Sequence, residues 1–373
     1  MSNADQPESS LDAAAPVTEQ PGNPADTRPQ RGWKLPAGLL VTLAAAGAAV
    51  WLSQEPALPQ GISSAEYQTA AEQFRDRYGR EPDRLDVLSF AAELAVVDGR
   101  IQDAIACFSV IPSSDSRYGL SSRLQEGHLL LDLNRAADAE AAFRKYLSLA
   151  ASTPNVTPLN IYAARRRLAF ILSVELRFED RQALLRSAHE SGIVDVFDSK
   201  QFFFPHLLIW NSTTGRLRLA EFLKVDPDNR DLRLAQARYL TSLGQTAEAQ
   251  SQLKLLLKRK PDDLPAIAAL LESYYETGDS ENLQQLLRDS PAYRIAEPWL
   301  LTRMRGHSAM EQQNWELAVT RFAEVLAADR TNPWAQSAIA RACEKLQNPG
   351  MARTTQARAY GIAKIRAELA RED

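Results

Sequence analysis

Residues that end helices recur in this chain at a fixed interval. Gly244 and Gly278 are 34 apart, as are Pro227 and Pro261 and, farther on, Ala318 and Ala352; Ala104 and Ala139 are 35 apart. Each glycine closes an apolar pattern of helical spacing and opens a turn, and the two prolines stand in the similar contexts KVDPDN and KRKPDD. No alternating β-branched run of strand length lies among them. A period of this size with two helices per unit specifies an array in which each helix pair covers the apolar face of the next. With 45% apolar and 24% charged residues, the chain has ordinary globular composition, which excludes wholesale disorder.

The units share a finer pattern. A turn residue is followed by a small residue and, four later, a large apolar one: Gly99 with Ala104 and Phe108, Asn134 with Ala139 and Phe143, Gly244 with Ala249 and Leu253, and then Ala318 with Phe322. The small residue lets two helices approach, and the large one fills the space beside it. Gly127 and Gly306 stand where a first helix must come close to its partner. Pro227 and Pro261 follow second helices, and Pro333 follows Phe322 slightly late. On these residues the chain resembles the tetratricopeptide repeat (TPR) family. The resemblance implies an all-α fold, a right-handed α-solenoid over residues 63–373, with about eight TPR-like helix pairs between Leu85 and Arg366 preceded by a helix from Ser64 to Arg77. The helix from Met351 to about Arg371 would be a polar cap. The match is weakest over 158–229, where Leu168 to Leu185 keeps helical spacing but lacks the small residue and the aromatic. Gln201–Pro205 places three phenylalanines before a helix start, either as packing plugs or as an aromatic contact patch. The Ile111–Asp115 loop shortens one second helix.

The N-terminal part reads differently. Residues 1–32 are rich in Ser, Ala, Pro and acidic side chains and carry too little apolar surface to offset ordering, so a disordered tail is expected. Residues 33–53 follow, with no charge between Leu35 and Leu52 and a tryptophan at each end, Trp33 and Trp51. That pattern predicts an uncleaved transmembrane helix. Arg28, Arg31 and Lys34 precede the run, and no Lys or Arg follows until Arg75. The charge asymmetry puts the tail in the cytoplasm and the repeats outside it, periplasmic if the source is bacterial. Residues 54–62 form a linker.

Chemistry is sparse. A net charge of −4 and four scattered histidines give neither a basic footprint for nucleic acid nor a metal centre. Cys107 and Cys343 lie in distant units, so both are expected as buried free thiols. Acidic pairs such as Asp262-Asp263 fall in turns, and no nucleotide, hydrolase or metalloprotease motif is present. The expectation is a non-enzymatic protein without cofactor, catalytic residue or metal, whose partner is an unknown protein or peptide.

In the TPR family the first helices of successive units line a concave face. By that resemblance one exposed row would run through Asp86, Glu93, Ser121, Leu124 and His128, then Leu234, Arg238, Ala268, Glu272, Tyr275, Arg303, His307 and Arg341. Arg238, Glu272, Tyr275, Arg303, His307 and Arg341 are the candidate partner-binding residues. Arg303 and His307, four apart, share one helix face. The Lys and Asn residues of the family's clamp for C-terminal carboxylates are absent from the row. Two functional classes follow: a membrane-anchored adaptor presenting its groove, or a structural subunit of an envelope or secretion assembly that also binds along its convex side.

Overall fold

The computed structural model describes residues 57–196, 198, 199, 213–290, 297–330 and 332–369. The expected tail and transmembrane segment, and the three phenylalanines with the helix start after them, lie outside the described residues. Among the described residues there are sixteen helices and no strand. No described helix is long and apolar enough to cross a membrane.

Helix α1 (Ser64–Tyr78) precedes the pairs α2 (Arg84–Val97) with α3 (Ile101–Val110), α4 (Gly119–Asp132) with α5 (Ala136–Ala150), and α6 (Pro158–Val174) with α7 (Phe178–Ser191). Helix α8 (Thr213–Val225) stands before α9 (Arg230–Ser242) with α10 (Thr246–Arg259) and α11 (Leu264–Thr277) with α12 (Ser280–Asp289). The last pairs are α13 (Trp299–Glu311) with α14 (Trp315–Ala328) and α15 (Pro333–Lys345) with α16 (Pro349–Leu369). The arrangement is a TPR-like helical-repeat solenoid in which most successive helices pack on one another.

The turn inside each pair shows why the repeat is so regular. Its pivot residue has a positive φ at Gly99, Asn134, Leu176, Gly244, Gly278, Gln313 and Gln347. Glycine adopts that conformation freely; Leu176 and the two glutamines hold it against a steric cost of about 1–2 kcal/mol each. Five residues after the pivot comes the close-approach position: Ala104, Ala139, Ala249 and Ala318 are all fully buried there. The packing partners Phe108, Phe143, Leu253 and Phe322 are buried as well. A Cβ added at Gly127 would lie 2.8 Å from the Phe143 ring, and one at Gly306 would lie 2.9 Å from that of Phe322. Both glycines are therefore required by the aromatic ring that occupies the place of their missing side chain.

First helices start on polar caps at the same period. The side chains of Asn229, Asp263 and Asn332 accept backbone N–H groups of Leu232, Ala266 and Ala335. Each satisfies a donor that the first turn leaves unpaired. Arg230 Nε donates to Asp263 Oδ2 at 2.7 Å, joining the starts of α9 and α11.

The divergent middle has a physical cause. The continuous spacing at 168–185 is divided by the Glu175–Arg177 turn, and the close-approach position of this pair holds Arg181 instead of alanine. Arg181 is fully buried, and its Nη1 donates to Ser173 Oγ at 3.0 Å. Burial pulls its guanidinium down to about 10. A side chain of that length requires a different fit between α6 and α7. Cys107 and Cys343 are both buried and free. Helix α16 exposes Arg353, Gln356, Arg358 and Lys364 together with the apolar Met351, Tyr360 and Ile365.

Candidate functional site

Four first helices converge on one groove of about 540 Å³. Helix α9 contributes Arg238, Thr241 and Ser242; α11 contributes Glu272, Tyr275 and Glu276; α13 contributes Arg303 and His307; α15 contributes Trp334, Ser337 and Arg341. Counted from the first lining residue of each helix, the spacings are three, four or seven, which keep side chains on one face. All six candidate residues are thus brought together. Thr241, Ser242, Glu276, Trp334 and Ser337 complete the lining without having been singled out. Trp334 stands seven before Arg341 and was legible by the same spacing.

Glu272 is the electrostatic centre. Its Oε1 accepts from Arg303 Nη2 at 2.6 Å, and its Oε2 lies 3.7 Å from Arg238 Nε. Two guanidinium groups therefore share one carboxylate. The Arg303 guanidinium also lies 5.5 Å from the Trp299 ring, within cation–π range. His307 stacks on Tyr275, with ring centroids 4.3 Å apart, and meets Phe322 edge-on at 5.2 Å. Burial first, then the positive charges of Arg303 and Arg341, push His307 down to about 4, so its imidazole is neutral near pH 7.

The expected exposed face of α13 needs correction. Arg303 is only 9% exposed and His307 is partly buried, so both hold neighbouring first helices together as well as facing the groove. Arg341 and Trp334 are the exposed members on α15. Elsewhere in the row, Leu124, Leu234 and Ala268 are buried. His128 meets Phe143 edge-on at 5.3 Å. Asp86 is fully buried: it accepts from Arg80 at 2.6 and 2.7 Å, from Arg117 at 3.0 Å and from the Tyr118 hydroxyl at 2.6 Å. These bonds, led by that of Arg80, hold its carboxyl well below the usual range. Asp86 ties two loops to α2.

One contact of the groove had no signal in the sequence. The Glu175–Arg177 turn and the first residues of α7, Phe178, Glu179 and Asp180, lie against α9, α11 and α13, enclosing a smaller cavity of about 140 Å³. Leu176, 2% exposed, accepts Arg238 Nη1 on its carbonyl at 2.8 Å. Glu179 accepts the backbone N–H of Trp299 at 2.7 Å. The Phe178 ring lies 6.0 Å from the Arg238 guanidinium. Arg177 donates to Glu140 and Glu175 at 2.7 and 2.9 Å, and burial pushes Glu175 up to about 7. The chain therefore covers one end of its own first-helix face. Among the described residues, no group of three His, Cys, Asp or Glu side chains is placed to hold a metal ion.

Tetratricopeptide-repeat family models match residues 217–274 and 303–365, which take in most of the helices forming the groove. These segments are tetratricopeptide repeats. Rat (Rattus norvegicus) DnaJ homolog subfamily C member 3 is 30% identical over 161 residues, 43% of this chain and 27% of that protein. The match thus spans little more than a quarter of that relative's length. Among solved structures, MamA is similar at 15% identity over 47% of this chain and 98% of its own, with a TM-score of 0.32. A human IFIT1 dimer with m7Gppp-AAAA is 15% identical over 79% of this chain and 72% of its own, TM-score 0.36. A tetratricopeptide repeat protein from Parabacteroides merdae is 12% identical over 75% of this chain and 99% of its own, TM-score 0.32.

Proposed function

We propose that this protein is a membrane-tethered scaffold that holds another protein by laying an extended segment of it in the α9–α15 groove. The observation that carries the reading is the convergence of four first helices on one concave surface. That surface combines exposed aromatic area at Trp334 and Tyr275 with the guanidinium groups of Arg238, Arg303 and Arg341. Aromatic and arginine side chains are the groups that concentrate binding energy at interfaces. Tetratricopeptide repeats bind proteins or peptides as a class, which supports the kind of partner but not its name. The test is the paired substitution Arg341→Glu with Trp334→Ala, both at exposed positions, checked for unchanged helicity and melting. A partner identified by proximity labelling should lose about thirtyfold or more in affinity, the loss typical of hot-spot removal. Unchanged binding, or crosslinks mapping only to second helices, would remove the groove from the function.

The membrane part of the proposal rests on the charge-free run from Leu35 to Leu52 and on the basic residues Arg28, Arg31 and Lys34 before it. The repeats then stand outside the cytoplasm. A reporter active only in the cytoplasm, fused after Asp373, is expected to stay silent. Activity there would invert the orientation, and a chain recovered entirely in the soluble fraction would remove the tether.

A further inference from the structure

We infer that the α9–α15 groove selects acidic segments, seating a side-chain carboxylate between Arg303 and Arg341 with an apolar neighbour against Trp334 and Tyr275. This inference rests on the groove reading above and adds its ligand chemistry. Its first support is the count of charges. Arg238 and Arg303 both converge on Glu272, and Arg341 is exposed with no carboxylate in ion-pair range among the described residues. Even with Glu276 included, the lining carries three guanidinium groups against two carboxylates, because His307 is neutral.

The second support is an unmet donor. Arg303 is more than nine-tenths buried, lines the groove, and has an Nε–H that finds no acceptor among the described residues. Glu272 is shared between Arg238 and Arg303, so the Arg303 charge is incompletely balanced, and a carboxylate brought in beside Arg341 improves the balance. The third support is the way the chain treats its own α6–α7 turn. Where that turn meets the same first helices, an aromatic and an acidic residue in succession make the contact. Phe178 lies by Arg238, and the Glu179 carboxylate takes the Trp299 N–H. The open part of the groove offers the same pair of chemistries, a cationic site beside aromatic surface.

A phosphate backbone fits less well. Glu272 and Glu276 stand in the wall, and successive phosphates would meet them as well as the arginines. A discrete carboxylate brings one charge to the exposed Arg341 instead of a run of charges along the wall. The groups facing His307 are Tyr275 from α11, Phe322 from α14, Arg303 on its own helix and Arg341 from α15. None of them makes the imidazole basic, so selectivity for acid should not change between about pH 6 and about pH 8.

The experiment uses the full-length chain against an array of random dodecapeptides, with the Arg341→Glu, Trp334→Ala variant as control. Peptides that bind the parent and not the variant should be enriched in Glu or Asp next to an aromatic or aliphatic residue. A fluorescein-labelled peptide built on that pattern should lose at least about tenfold in affinity when its acids become amides or when Arg341 alone becomes glutamate. Arg303→Lys keeps the charge but gives up the bond to Glu272, so its melting temperature is measured alongside, and the exposed Arg341→Glu variant carries the test. Groove-dependent peptides without acidic residues would overturn this inference and leave the scaffold reading standing. No groove-dependent peptide at all would overturn both. Preferential binding of a single-stranded RNA oligonucleotide through Arg341 would overturn the choice of a peptide.

Discussion

Phe143→Ala is expected to lower stability by about 3–5 kcal/mol, the cost of deleting a large, fully buried aromatic side chain. Phe143 has no exposed surface and occupies the space that a side chain at Gly127 would need. It also supports the His128 ring. Removing it leaves a cavity between α4 and α5, because close-packed helices relax only partly around a void. Units of a solenoid couple mainly to their neighbours, so the loss should not spread evenly. Hydrogen exchange should accelerate first in the α2–α7 region, with α13–α16 affected least. Uniform acceleration along the chain would contradict the nearest-neighbour architecture. The urea midpoint gives the size of the effect.

The second large effect is a pH dependence centred on His307. Its folded-state value of about 4 lies below the ordinary 6.5. The unfolded chain therefore binds the proton more readily between those values. The stabilisation is fully present above pH 6.5 and is lost as pH falls toward 4. A shift of that size corresponds to at most about 3 kcal/mol. The measurement compares urea unfolding at about pH 7.5 and about pH 4.5 for the parent and for His307→Gln, since carboxylates titrate in both. The parent should lose more stability on acidification than the variant. Equal losses would show that the stacked imidazole accepts a proton in place.

The architecture was legible because its determinants are local. A pivot followed five residues later by a small side chain and nine later by a large one is a statement about one turn and two helix faces. It depends on backbone dihedrals and on side chains one turn apart. Gly244, Ala249 and Leu253, or Asn134, Ala139 and Phe143, carry it whatever surrounds them. The six groove residues came from the family resemblance, which says that first helices line the concave face; spacing added only that residues four apart, such as Arg303 and His307, share a face.

What the spacing left undecided was which of those faces meets water. Asp86 and Arg303 read as exposed and are buried, because burial of a first helix depends on how its neighbours turn toward it. The segment 168–185 read as lacking the small residue, and the structure puts buried Arg181 in that place, which sets α6 and α7 apart from the other pairs. Leu176 takes a left-handed conformation that no isolated leucine favours, held by its burial and by Arg238 on its carbonyl. The approach of that turn to α9, α11 and α13 joins Glu179 to Trp299, 120 residues away. A contact at such separation is settled by the summed small rotations of the units between, and those rotations exist only once the helices are packed. Short-range dihedral and steric preferences specified the helix pairs, and the accumulated packing of one pair on the next decided the groove and what covers its end.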